Sequence, residues 1–369
     1  MRTESVTEYD PDYVFPPGVT LIETIEELGM PQAELAERLG KSRKFVNELV
    51  KGKAPLGSDI AVQLERVSGV PASLWLNLEA NYRENLERVK EQERFAEQIG
   101  WLDEFPIKEM ISFGWIEGYK DKTLQLIELL NFFGIVSPAQ WESFHEAHAG
   151  ACLRQSQAYQ ASRNAVLAWI RQGELEAQEI ACKPFAEEQF SAAVHAARGL
   201  TASGNQVAAL EEVIQRSADA GVALVLVRQL SGTRASGVTH WVSPTKAVIQ
   251  LSLRYKKADQ LWFTFFHEAG HLLLRHGKRE IFINDGDTAT GDENEHAANE
   301  YASNFLIPPA EYKRFVAGIT PGRVSTRQVL DFAAELGIAP GVVVGRLQRE
   351  RILEYNQLNG LRIKVDWVA

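Results

Sequence analysis

The spacing of apolar residues changes character near residue 200 of the chain. Between residues 85 and 200, apolar side chains recur at near-helical intervals of three and four, as on one face of an α-helix. After residue 201, short apolar runs lie between Gly, Ser and Pro turns, which is typical of strands; they are residues 222–227, 238–242 and 247–253. The pattern predicts an α+β chain that is predominantly helical, with a small sheet in its second part.

Two short helices are predicted near the start of the chain. Residues 31–40 form the first, which ends at Gly40, and Ser42 can cap a second over residues 43–51 that ends at Gly52. Two short helices around a turn that contains Gly are typical of a helix-turn-helix, whose second helix enters the major groove of DNA. An ordinary amphipathic hairpin with a solvated basic face has the same pattern and stays open as an alternative.

The charge around these helices favours contact with DNA, although the whole chain is acidic, with a formal net charge of −10. Residues 38–53 contain one acid, Glu48, and the bases Arg38, Lys41, Arg43, Lys44, Lys51 and Lys53. A local basic face can bind phosphates on an acidic protein, with an affinity that falls steeply in salt. Arg43, Lys44 and Asn47 occupy the exposed start of the second helix.

His267-Glu268-Ala269-Gly270-His271 has the spacing of a zinc site with its own base. Two histidines four residues apart share one face of a helix, so both imidazoles can bind one ion. Glu268 then stands beside the ion, where it can take a proton from water. A half-exposed histidine pair on a core helix is the alternative interpretation.

The third zinc ligand would come from a second predicted helix, because a hydrolytic zinc usually takes three protein ligands. Glu295 is the candidate on this helix, and Asn299 follows four residues later on the same face. The Asn299 amide can therefore hydrogen-bond the far nitrogen of a ligating histidine. Glu295 also stands three residues after Asp292, so a capping box is a second interpretation of it. His276 and His296 are weaker candidates for the cleft and are expected to face solvent.

The residues around this motif resemble the ImmA/IrrE family of metallopeptidases. The resemblance is carried by residues 263–274, followed by Glu295-x-x-x-Asn299-x-Tyr301-Ala302-x-x-Phe305-Leu306-Ile307-Pro308. It implies a zincin-like domain in which His267, His271 and Glu295 bind Zn²⁺ and Glu268 is the general base. The chain departs from the family at Ala297, where relatives often carry another Glu.

The first quarter of the chain is similar to the XRE-type DNA-binding domain of HigA-type antitoxins. The similarity covers residues 32–53 and continues over residues 61–82. It implies two groups of DNA-binding residues. Those that would hold phosphates are Gln32 and Ser42, and those that would reach base edges are Arg43, Lys44 and Asn47.

Composition indicates the number of domains and the cellular location of the protein. The chain has 369 residues, of which 45% are apolar, which is ample for two or three folded domains. Cys152 and Cys182 lack the spacing of a disulfide framework and are expected to be reduced. The start lacks an apolar signal core and no run is long enough to cross a membrane, so we expect a cytoplasmic protein without a membrane partner.

These features together predict three parts: a helix-turn-helix domain at 1–84, a helical connector at 85–200 and a zinc metallopeptidase domain at 201–369. The predicted protein is a homodimeric regulator or antitoxin that binds double-stranded DNA at an operator and cleaves a protein. Its substrate would be a cognate toxin, another repressor or the chain itself. The alternative is a non-enzymatic antitoxin and repressor, in which the peptidase-like domain is a platform for partner binding or sensing.

Overall fold

The described part of the chain folds into two compact units. In a computed structural model, residues 15–141, 143, 163–277, 282–284, 293–320 and 323–365 are described. One unit contains the described residues up to Ile99 together with Lys122–Leu124, and the other contains the remainder. The α+β, mostly helical class is confirmed, whereas the division at residues 84 and 200 stays a prediction.

The first unit is built from helices around one apolar core. Its helices are α1 (Gly18–Glu27), α2 (Gln32–Arg38), α3 (Arg43–Val50), α4 (Ser58–Ser68) and α5 (Ala72–Phe95). The buried core residues include Leu21, Ile25, Leu35, Val46, Leu49, Leu64 and Trp75. The apolar positions of α2 and α3 face this core, which leaves their polar positions to solvent.

Local sequence chemistry explains where α2 and α3 begin and end. Gly40 and Gly52 both have positive φ, 62° and 66°, a conformation that glycine adopts without steric cost. The Ser42 hydroxyl caps α3 by accepting a hydrogen bond from the Phe45 amide at 3.1 Å. A Cβ at Gly52 would lie 2.6 Å from the hydroxyl oxygen of Tyr82 on α5, so this turn has no space for a side chain.

The second unit combines a small sheet with several helices. Its helices are α6 (Ile107–Ser112), α7 (Lys122–Phe133), α8 (Arg163–Glu179), α9 (Glu187–Leu200), α10 (Gln206–Asp219), α11 (Ala258–Leu273), α12 (Glu293–Leu306), α13 (Pro309–Ala317), α14 (Thr326–Leu336) and α15 (Pro340–Arg349). The start of α7 falls in the first unit. Short 3₁₀ helices occupy Ile99–Glu104, Pro138–Gln140 and Asn359–Leu361.

The sheet has four described strands in the order β1-β3-β2-β4. They are β1 (Val222–Leu226), β2 (Gly237–Ser243), β3 (Lys246–Leu251) and β4 (Phe282–Asn284). β1 runs parallel to β3, whereas β2 is antiparallel to both β3 and β4. The three predicted strands are therefore present within two residues of their predicted ends, and β4 is an additional strand.

Helices cover both faces of this sheet. Alternate β3 residues, Ala247, Ile249 and Leu251, belong to the apolar core that also contains Phe265 and Phe266 of α11. Side chains alternate between the faces of a strand, so Gln250 points the other way. There its amide donates to the Trp169 carbonyl of α8 at 2.7 Å, and the Trp169 indole donates to the Val227 carbonyl at 3.2 Å.

No single helix in the described ranges is long and apolar enough to cross a membrane. The bent pair formed by α14 and α15, at 115°, meets the same length and composition test only when its two helices are taken together.

Candidate functional site

The two histidines of the predicted zinc motif lie on the buried face of α11. His267 is 0% exposed and His271 is 1% exposed. Because they are four residues apart on a helix, their Nε2 atoms point the same way and lie 3.1 Å from each other. Apolar residues around the motif pack into the core and hold the helix in place; they are Leu261, Trp262, Phe265, Phe266 and Ala269.

Glu295 on α12 closes a cluster with these histidines. Its Oε2 lies 3.2 Å from His267 Nε2, and its Oε1 lies 3.4 Å from His271 Nε2. Small residues allow the two helices to approach: a Cβ at Gly270 would lie 3.0 Å from a ring carbon of Tyr301 and 3.5 Å from Ala298 Cα. Asp292, the other member of the predicted capping box, lies outside the described residues.

The donor set of this cluster fits a zinc ion. The three ligand atoms lie within 4.8 Å of one another, and the closest separations are the 3.1, 3.2 and 3.4 Å given above. A tetrahedral ion with bonds of about 2.0 Å places its ligands about 3.3 Å apart. Two imidazoles and one carboxylate also match the chemistry of a hydrolytic zinc site, which keeps a fourth position open.

The protonation states of the cluster suit metal binding, which requires neutral imidazoles and ionised carboxylates. Burial lowers the pKa of His271 to about 4, against the opposing effect of Glu295. Burial alone would raise the pKa of Glu295, but hydrogen bonds from His267 and His271 outweigh it and hold that pKa at about 2.

Glu268 is fully buried and points toward strand β2. Its Oε2 accepts a hydrogen bond from the Thr239 hydroxyl at 2.6 Å, while its Oε1 has no partner within the described ranges. Burial raises the pKa of Glu268 well above its usual range, the Thr239 hydrogen bond lowers it, and the charge of Glu295 raises it further. Gly237 provides the space, because a Cβ there would lie 2.6 Å from Glu268 Oε1.

The hydrogen bond predicted between Asn299 and a ligating histidine is not found among the described contacts. Asn299 Oδ1 instead accepts from Arg349 Nη2 at 3.4 Å, and His267 Nδ1 is buried without a partner among the described residues. The far nitrogen of His271 lies 2.9 Å from Nδ1 of His276. His276 is thus half-buried against the cluster, whereas we expected it to face solvent, and His296 is exposed as expected.

Two residues around the cluster, Thr239 and Arg349, were not identified from the sequence, and the contact of His276 with His271 was not predicted. Thr239 lies between Val238 and His240 on β2, where threonine is an ordinary strand former. Arg349 lies far along the chain and carries no motif. Only His276, five residues after His271, gave a sequence signal, and its spacing matched no ligand pattern.

The predicted DNA-binding residues all lie exposed on the first unit. They are Gln32 at the start of α2, Ser42 at the cap of α3, and Arg43, Lys44 and Asn47 on α3. Arg43 and Lys44 have highly exposed side chains, 76% and 84%, with only loose ion pairs to Glu37 at 3.9 Å and Glu48 at 3.8 Å. Such pairs contribute little and leave both cations available to phosphates.

Comparison with known proteins finds a family match for each of these two parts of the chain. Residues 21–75 match the Helix-turn-helix family, and residues 223–347 match the IrrE N-terminal-like domain of the peptidase M78 family. A solved structure, an addiction module antidote protein of a HigA family from Coxiella burnetii, is 25% identical to the chain. That match covers 23% of this chain and 92% of the other, with a TM-score of 0.21.

No curated protein matches the chain. The helix-turn-helix match contains α2 and α3, and the IrrE N-terminal-like match contains the His-His-Glu cluster. Residues 21–75 are therefore similar to an XRE-type helix-turn-helix, and residues 223–347 are similar to an IrrE/ImmA-like peptidase domain.

Proposed function

We propose that the chain is a DNA-binding regulator whose C-terminal part is a zinc-dependent endopeptidase. The observation that carries this proposal is the convergence of His267, His271 and Glu295 on one point beside the buried Glu268. The IrrE N-terminal-like match over the same residues supports it.

In this proposal His267, His271 and Glu295 hold the zinc ion. When bound, the ion supplies a Lewis acid for the peptide carbonyl and activates water at neutral pH. Glu268 takes a proton from the attacking water and passes it to the amine that leaves when the peptide bond breaks. Thr239 holds one oxygen of Glu268 at 2.6 Å, which leaves the other oxygen for this transfer.

The substitution Glu268→Gln tests the peptidase. Loss of a general base costs roughly 10²- to 10⁴-fold in rate, so cleavage should fall by that factor while metal content stays unchanged. The measurement is hydrolysis of fluorescein-labelled casein and of the chain itself, followed by mass spectrometry.

Glu300→Gln is the matched control, because Glu300 is an exposed acid on the same helix as Glu295. Undiminished cleavage by Glu268→Gln would contradict the assigned base. A zinc-loaded wild type that cleaves neither substrate would favour the non-enzymatic antitoxin and repressor.

We propose double-stranded DNA as the ligand of the first unit, bound through α3. Replacing both Arg43 and Lys44 by Ala removes two exposed cations, so binding should weaken and the slope of log K against log salt should flatten by about two. The measurement is a salt titration of binding to the DNA upstream of the chain's own coding region.

Lys90→Ala with Arg94→Ala is the matched control, since it removes two exposed cations from α5 instead. An unchanged salt slope in the α3 variant would remove α3 from the DNA interface. The proposal has three further parts. The chain binds a palindromic operator as a homodimer, it lies in the cytoplasm, and its substrate is a toxin or a repressor.

A further inference from the structure

The rim beside the candidate metal centre carries an arginine that the proposed chemistry does not use. Arg349 is the last residue of α15. Its guanidinium carbon lies 5.0 Å from the centre of the Phe263 ring, and its Nη2 donates to Asn299 Oδ1 at 3.4 Å. The side chain therefore bridges α11 and α12, the two helices that carry the three candidate ligands.

The positions of these two contacts locate Arg349 relative to the cluster. Phe263 is four residues before His267 on α11, and Asn299 is four residues after Glu295 on α12. Four residues return to the same helical face about 6 Å along the axis. Phe263 and Asn299 are half-buried while His267 is fully buried. Arg349 therefore lies about one helical turn from the ligands, on the side that opens toward solvent.

The charge of Arg349 has no anionic partner within the ion pairs that the described residues form. The adjacent acid, Glu350, pairs with Nε of Arg346 at 3.1 Å. Burial lowers the pKa of Arg349, Tyr355 and Glu350 act against this, and Arg346 acts with it. Arg349 is nevertheless exposed, and its guanidinium is protonated at neutral pH, so a solvent-accessible cation is held here by a ring and an amide.

A neighbouring arginine shows the contrast. Arg346 packs 3.9 Å over the Tyr312 ring and donates to the carbonyls of Ser303 and Ile307, both at 2.8 Å. Its hydrogen bonds close the end of a helix, which is a structural role. Arg349 closes no helix, and within the described ranges its guanidinium has one hydrogen bond, to Asn299.

We propose that Arg349 is a specificity-determining residue that binds a carboxylate of the peptide substrate. This inference rests on the proposed endopeptidase function. The planar guanidinium can donate two parallel hydrogen bonds to one carboxylate. Phe263 and Asn299 hold the group in place beforehand, which reduces the entropy lost on binding. The ligand class is an acidic peptide whose carboxylate lies a fixed distance from the scissile bond.

Binding, rather than turnover, tests this most directly. The protein is the full chain with Glu268→Gln, loaded with zinc. The probes are fluorescein-labelled heptapeptides of Ala and Leu with a single Glu at each position in turn, each paired with the same peptide carrying Gln. Fluorescence anisotropy should show one Glu position that binds roughly tenfold more tightly than its Gln partner, the effect of one partly exposed charge-assisted pair.

Variants of Arg349 assign that preference to its side chain. Arg349→Met should abolish the difference between Glu and Gln peptides, and Arg349→Lys should retain part of it. Arg351→Met, which removes an exposed arginine just beyond α15, should leave it unchanged. Zinc content of each variant confirms that the cluster is intact.

Three results would overturn the inference. They are equal binding of the Glu and Gln peptide at every position, no binding of any Glu peptide, and a preference for Glu that persists in Arg349→Met. A different result would contradict the endopeptidase proposal. A wild type that cleaves nothing but keeps the Arg349-dependent preference would contradict cleavage while supporting the carboxylate site.

Discussion

At the scale of single residues, the candidate site depends on a glycine that leaves space as well as on the side chains that fill it. Glu268 lies against β2 in space that Gly237 leaves open, and Thr239 two residues later holds its carboxyl group. Both contacts come from one strand because residues two apart share a face. The register of β2 therefore positions the general base of the proposed mechanism.

Gly237→Ala should displace Glu268 and destabilise the second unit. The added Cβ would meet Glu268 Oε1 and Thr264 Cγ2, both at 2.6 Å, and overpacking of this kind costs about 1–3 kcal/mol. Urea unfolding measures the loss.

Gly199→Ala is the matched control, since a Cβ there meets no atom within 4 Å and alanine favours a helix by up to about 1 kcal/mol. Equal stability of Gly237→Ala and the wild type would show that β2 does not confine Glu268 in this way.

At the scale of helices and strands, the start of α11 contacts the last described residues of the chain. Asp259 in the first turn of α11 is 5% exposed. It accepts hydrogen bonds from Nε and Nη2 of Arg362, the closest at 2.6 Å. Gly345 of α15 lies against the same carboxyl group, since a Cβ there would lie 3.1 Å from Asp259 Oδ2. Arg362 Nη1 also donates to Gln348 Oε1 of α15 at 3.0 Å, so the buried pair links α11 to α15.

Arg362→Met should destabilise the protein strongly, because it leaves the Asp259 charge buried and unpaired. Breaking such a pair costs about 3–5 kcal/mol. Burial already raises the pKa of Asp259, with Arg362 acting against it. A carboxyl group whose pKa is raised by folding binds more protons in the folded than in the unfolded chain. The free energy of unfolding therefore falls as pH rises from the unfolded-state pKa to the folded-state pKa. The variant's deficit should therefore be smaller at pH 5 than at pH 8.

The double variant Asp259→Asn with Arg362→Met supplies the control, since it removes the charge together with its partner. It should recover much of the lost stability in denaturant unfolding. A deficit that is the same at both pH values would mean that the Asp259 charge is not its cause.

Local patterns were sufficient to predict α2 and α3, which each have one buried face, and α11 and three strands, whose apolar runs are buried almost throughout. They also placed Glu295 on the helix that contacts both histidines. They did not predict β4, a three-residue strand defined by pairing with β2, or the packing of α8 on the sheet. The partner of Asn299 was missed as well, because Arg349 reaches it from fifty residues away. Contacts of this kind depend on tertiary packing, which no local pattern records.

At the scale of the whole molecule, the chain combines an acidic net charge of −10 with an exposed basic helix start at Arg43 and Lys44. Each of its two family matches falls on one of the two compact units. The exposed cations and the helix-turn-helix match support the proposed DNA ligand of the first unit. The proposed peptidase belongs to the second unit, and it depends on whether His267, His271 and Glu295 bind a metal.

Zinc content of the purified chain tests that claim most directly. Elemental analysis should find about one zinc per chain in the wild type and in Glu300→Gln, and far less in His271→Ala and Glu295→Ala. A site with three protein ligands loses most of its affinity for zinc when one ligand is removed. A wild type that takes up no zinc on reconstitution, or ligand variants that retain it in full, would contradict the metal centre and the peptidase built on it.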